Sequence, residues 1–360
     1  MSYQEIKRQQ PLAQRDGIFD GRNLTEGENA NFLGDFDLSN RTWNVGEKLL
    51  NSVRLGEFIC ENRYVIEGDP FNQGRSGSIY RAIDLARSSV DADGIFHPDY
   101  VAVKRLESLS NFPAYTGPTI EEHLAEAQVM QSFGGAGVVE VHDFFVTQGR
   151  SGKETLIVME YMDPQSTLSH FIQRSEMSVQ RVVGVVNSLA ETIDGAAKRH
   201  IYHRDLSPKN MFLVVEAVEN GDERVGVKLT DFGASNVVRA ASRKGVAGTP
   251  PYISPEALEQ NPKFPLASEV YVLGVLTYEM LTGELPFGGL EGDLQLQYVL
   301  NHSVVLDDDE KLLAAMAEKG FVPEKGRKVL ERALTHSNVL RKVFYPTAQN
   351  FAASLAAARA

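Results

Sequence analysis

In the stretch Tyr202-His203-Arg204-Asp205-Leu206-Ser207-Pro208-Lys209-Asn210, an aspartate and an asparagine stand five residues apart. A carboxylate can take a proton from a hydroxyl, and an amide oxygen can ligate a hard cation, which prefers oxygen donors. Pro208 between them breaks helical hydrogen bonding, so the stretch reads as a loop. The apolar run Met211-Phe212-Leu213-Val214-Val215 reads as a strand that fixes the loop's far end. Asp205 is therefore placed as a base and Asn210 as a metal ligand.

The elements that must position this loop are legible on both sides. A helix from about Val179 to Arg199 leads into it, and Asn220-Gly221 reads as a hairpin turn before Lys228-Leu229-Thr230-Asp231-Phe232-Gly233. Upstream, Tyr64-Val65-Ile66 and Asn72-Gln73-Gly74-Arg75-Ser76-Gly77-Ser78-Ile79-Tyr80 read as a strand, a glycine-bearing turn and a second strand. Thr119 and Glu122 have capping-box spacing and open a helix to about Phe133, with Glu121 and Glu122 in its first turn. Leu156-Ile157-Val158-Met159-Glu160-Tyr161-Met162 reads as a buried strand ended near Pro164. The stretch from Ser268 to Leu281 is apolar nearly all round, as in a buried helix.

Taken in order, these motifs resemble the protein kinase family, in the eukaryotic-like serine/threonine branch. The loop is similar to its H-R-D-L-x-x-x-N, Asp231-Phe232-Gly233 to D-F-G, Val101-Ala102-Val103-Lys104 to V-A-I-K, and Ser254-Pro255-Glu256 to A-P-E. The resemblance runs from about Arg63 to Leu355. It implies an α+β, bilobal fold with a β-rich N-lobe over 61–162, a mainly helical C-lobe over 163–360, and a 1–60 extension of unknown role. It also implies ATP and Mg2+ as cofactors and a protein substrate.

The same resemblance assigns roles. Asp205 would orient the acceptor hydroxyl, Asn210 and Asp231 would hold magnesium, and Lys104, paired with Glu126, would hold the α and β phosphates. Asn72, Gly74, Gly77 and Ile79 would form the phosphate loop, with Asn72 where the family has its first glycine. Adenine would meet backbone around Glu160 to Met162, with Met159 behind it and Ile79, Ala102 and Phe212 on its faces. Serine/threonine kinases usually carry lysine two residues after the catalytic Asp; here that position is Ser207, and Lys209 is expected to supply the charge. Glu269 stands where the family usually has Asp holding the loop backbone, so either the loop shifts or the contact changes. Phe344 stands where the family's R-x-P-T-A has arginine, leaving Arg341, Lys342 or nothing for Glu256. Three readings follow: an active serine/threonine kinase, a pseudokinase acting as a scaffold, and a small-molecule kinase. The intact Lys104, Asp205 and Asp231 favour the first. Ser242 and Thr249 are the expected autophosphorylation sites.

Composition narrows partners. The 360 residues, 42% hydrophobic, can bury a large core. A formal net charge of -12 and a pI near 5.2 give no basic footprint for nucleic acid or an anionic membrane. The single cysteine, Cys60, cannot form an internal disulfide. No apolar run approaches the roughly 20 residues of a membrane span, and the amino terminus lacks a signal-peptide pattern. A cytoplasmic protein is expected, of undetermined oligomeric state.

Overall fold

The computed structural model describes residues 57–59, 63–74, 77–93, 95–107, 119–148, 153–218, 222–233, 235, 249–259, 264–287, 290, 292–306 and 309–360. The expectations for residues 1–56, Cys60, the Asn220-Gly221 turn and Ser242 lie outside them. The chain forms two compact units and passes from one to the other between Met162 and Asp163; residues 128–140 belong with the C-terminal unit.

In the N-terminal unit, six antiparallel strands lie in the order β1-β2-β3-β6-β8-β7. They are β1 (Glu57–Ile59), β2 (Tyr64–Gly74), β3 (Gly77–Asp84), β6 (Tyr100–Glu107), β7 (Val141–Gln148) and β8 (Lys153–Glu160). The short strands β4 (Ser89–Val90) and β5 (Phe96–His97) pair beside the sheet as a small hairpin. Side chains alternate between faces along each strand. Tyr64, Ile66, Ala82, Val101, Val103, Leu156 and Val158 make one face a buried core, which Tyr80 and Phe145 extend. The opposite face receives the alternate positions, and that is where the chemistry-bearing residues fall. Helix α1 (Ile120–Gln131) opens with the expected capping box: the Thr119 N–H donates to Glu122 Oε2 at 2.8 Å, and the Glu122 N–H to Thr119 Oγ1 at 3.3 Å.

The C-terminal unit is mainly helical. Its elements are α2 (Leu168–Gln173), α3 (Val179–Ala197), the hairpin β9 (Met211–Ala217) and β10 (Glu223–Leu229), α4 (Pro255–Leu258), α5 (Pro265–Thr282), α6 (Gly292–Asn301), α7 (Glu310–Glu318), α8 (Pro323–Leu334), α9 (Asn338–Phe344) and α10 (Ala348–Ala356). Helix α5 is buried almost all round, as its apolar sequence requires. Gly274 lets α8 approach it closely, since a Cβ there would lie 3.0 Å from Ala333 Cβ. Buried Asp194 on α3 accepts from the N–H groups of Ala348 (2.8 Å) and Gln349 (3.0 Å), satisfying the first turn of α10 from a distant element.

Candidate active site

The strand register of the N-terminal unit gathers one group of the sequence-predicted residues. Ile79 lies opposite Lys104 and Asn72 opposite Ile79; Ala102 lies opposite Met159. Because cross-strand partners share a face, Asn72, Ile79, Ala102, Lys104 and Met159 all stand on the face away from the core cluster. Period-two alternation places four of these; Asn72 has the parity of Tyr64 and Ile66 and reaches this face only through the register shift between Glu67 and Asn72. Gly74 pairs with Gly77 at the end of the hairpin. Gly77 has φ +98°, and a Cβ there would sit 2.3 Å from Arg105 O, so the strand pairing itself demands glycine. Glu160 ends β8, and Tyr161, between it and Met162, is held edge-on by Phe71 with ring centroids 6.0 Å apart.

Lys104 and Glu126 are each 4% exposed, and Lys104 Nζ donates to Glu126 Oε1 at 2.7 Å. One turn earlier on α1, His123 is equally buried, and its Nδ1 has no hydrogen-bond partner among the described residues. Burial, and then the nearby Lys104 charge, push its pKa down to about 4, so the imidazole is neutral at physiological pH.

The C-terminal unit carries its own group of sequence-predicted residues. The loop from Tyr202 to Ser207 leads into a single 3-10 turn, Pro208–Asn210, and then into β9. The Asp205 N–H donates to His203 Nδ1 at 3.2 Å, so the other ring nitrogen carries the proton and donates to Thr230 O at 3.0 Å. Burial lowers the His203 pKa and keeps the ring neutral. That ring packs on Phe232, with centroids 4.4 Å apart. The Thr230 N–H donates to Asn210 O at 3.0 Å, extending the β9–β10 register so that Asp231 follows directly beside Asn210. Asp231 and Arg204 both hold left-handed backbones, φ 64° and 66°, conformations that a non-glycine residue keeps only when its surroundings impose them.

The Asn210 amide nitrogen donates to Asp205 O at 3.1 Å, which leaves the amide oxygen as the group available to a cation. With the Asp231 carboxylate, this is an oxygen donor set of the kind Mg2+ takes. Thr249 Oγ1 donates to Asp205 Oδ1 at 2.6 Å, fixing one carboxylate oxygen. Sequence reasoning singled out Thr249 as a phosphorylation site. Its hydroxyl is bonded to Asp205 in this structure, where a phosphate would set like charges together.

A protein kinase domain family matches residues 73–343. The chain belongs to the protein kinase family. It is 30% identical over 240 residues to the serine/threonine-protein kinase PknL of Mycobacterium tuberculosis, covering 65% of this chain and 53% of that protein. It is 30% identical to the serine/threonine-protein kinase pkn2 of Myxococcus xanthus (61% and 24%) and 32% identical to serine/threonine-protein kinase A of Synechocystis sp. (63% and 42%). The chain thus spans about half the length of these relatives, or less. Among the described residues, no helix is long and apolar enough to cross a membrane.

Two departures from the kinase pattern resolve as preserved contacts. Glu269 Oε1 accepts from the His203 N–H at 2.5 Å and the Arg204 N–H at 3.3 Å, so the longer side chain still holds the catalytic-loop backbone. Burial pushes its carboxyl up to about 7, against the pull of those two N–H groups and the Arg204 charge. Arg341 is fully buried and forms the ion pair with Glu256, while Ser268 Oγ donates to the other Glu256 oxygen at 2.5 Å. Arg341 Nε also donates to Ala267 O at 3.0 Å. The adjacent Lys342 faces outward, over the Phe264 ring. Ser207 is buried, Lys209 is exposed on the 3-10 turn, and Phe212 is half-buried on β9.

Proposed function

We propose that this chain is an ATP- and magnesium-dependent kinase that transfers the γ-phosphate to serine or threonine hydroxyls of a protein substrate. The observation that carries this reading is the buried Lys104–Glu126 pair. An apolar pair of similar volume would be no less stabilising in such a position, so a desolvated ammonium beside a buried carboxylate is best explained by chemistry. The ammonium anchors the α and β phosphates, and Glu126 fixes where it points. Ile79, Ala102, Met159 and Phe212 contact the adenine, backbone from Glu160 to Met162 hydrogen-bonds to it, and Asn72, Gly74 and Gly77 cover the phosphates.

Asn210 and Asp231 would hold magnesium, which when bound neutralises charge on the phosphates. Asp205, one oxygen tied to Thr249, orients the acceptor and takes its proton through the other. Lys209, an exposed cation four residues after the base, supports the developing charge that the family's missing lysine would meet. The names of the relatives support serine and threonine as acceptors. The need for ATP, together with the single Cys60, supports a cytoplasmic setting.

The test is transfer from radiolabelled ATP to a generic protein substrate. The wild type should label it, and Lys104→Met and Asp231→Ala should each fall to background while still unfolding in one cooperative transition. Near wild-type turnover in either variant would sink the assignment.

A further inference from the structure

Helix α9 carries an open apolar stripe that the catalytic reading does not use. Val339, Leu340, Val343 and Phe344 are 52%, 47%, 68% and 41% exposed. At about 100° per residue they fit within a sector of about 140°, and Arg341 and Tyr345 occupy the buried side. A cation flanks each edge: exposed Lys342 lies along the helix, and exposed Arg332 of α8 sits over the Phe344 ring at 5.5 Å. Glu331 is the last acidic residue of the chain. In a protein of net charge -12, this surface is therefore a local basic exception around an apolar centre.

The complementary sequence lies in the same chain. Between Arg22 and Arg41 there is no basic residue; Glu26, Glu28, Asp35 and Asp37 are interleaved with Phe32, Leu33, Phe36 and Leu38. Phe32, Leu33 and Phe36 stand at i, i+1 and i+4, the spacing that Val339, Leu340 and Val343 also have. We propose that residues 26–38 dock on the α9 stripe of their own chain, apolar side chains on Val339, Leu340, Val343 and Phe344, and acidic ones toward Lys342 and Arg332. The 19 residues from Leu38 to Glu57 reach about 60 Å when extended. Tethering raises the local concentration of the segment to the millimolar range, so a modest surface contact suffices.

The experiment uses the full chain with the photoreactive aromatic benzoylphenylalanine in place of Phe32. Illumination should link that position to residues 339–344 of the same chain, read by peptide mapping. Asp35→Lys with Asp37→Lys should lower the yield about tenfold, because each edge then sets like charges together. Adding Arg332→Glu and Lys342→Glu should restore it, which a misfolded variant would not do. Links mapping elsewhere, a yield indifferent to the charge reversal, or links found only between two chains would each overturn the proposal.

Discussion

Replacing Glu269 by Gln isolates the cost of keeping a carboxylate beneath the catalytic loop. Glutamine offers the same carbonyl oxygen to the His203 and Arg204 N–H groups but never ionises. The Glu269 carboxyl has an ordinary value of 4.5 and a folded value of about 7. Between those values the folded state keeps a proton that the unfolded state has released, so stability falls as pH rises through the window and levels off above it. At 1.36 kcal/mol per pH unit the loss is about 3 kcal/mol. The variant lacks this titration, so its stability relative to wild type should grow by about 3 kcal/mol between pH 4.5 and pH 8. Denaturant unfolding at a series of pH values would measure the difference directly. Glu269→Leu is the control: it leaves two backbone donors without their acceptor and should lose about 1–3 kcal/mol for each at every pH. A Gln-minus-Glu difference that stays flat across the window would refute the argument and show that the carboxylate is ionised at little cost.

Thr249→Val removes the hydroxyl that fixes Asp205 Oδ1 and should lower kcat by roughly tenfold or more, with ATP affinity unchanged by equilibrium titration; a variant with wild-type kcat would show that Asp205 needs no such restraint. Lys209→Ala should lower kcat and kcat/KM together by roughly 10²-fold, and Ser207→Lys in that background should restore part of the rate. Steady-state kinetics giving wild-type turnover for Lys209→Ala would remove Lys209 from the chemistry. His123, with a folded value of about 4 against 6.5, resists the proton that the unfolded chain accepts, so it costs stability as pH falls from 6.5 toward 4, by about 3 kcal/mol in all. His123→Phe should flatten that part of the acid unfolding profile, and a profile superimposable on wild type would reassign the acid sensitivity to other groups.

The family motifs were legible because they are short and fixed in spacing: Lys104, Asp205, Asn210 and Asp231 fall within them, and the protein kinase domain match spans all four. The all-round apolar run of α5 and the capping box of α1 were equally local, since each depends on residues within a few positions. What the sequence left open were contacts between distant elements. Arg341 and Lys342 are neighbours of like charge, and only the packing of α9 against α5 decides which one faces Glu256, because successive helical positions point about 100° apart. Whether Glu269 could replace an aspartate turned on one methylene of reach, a quantity set by the separation of α5 from the loop. Thr249 reads as one more hydroxyl in a polar segment until the fold brings it 2.6 Å from a carboxylate 44 positions earlier. Local sequence carries backbone preference and residue chemistry; distance between elements is a property of the packed core, and only the tertiary structure holds it.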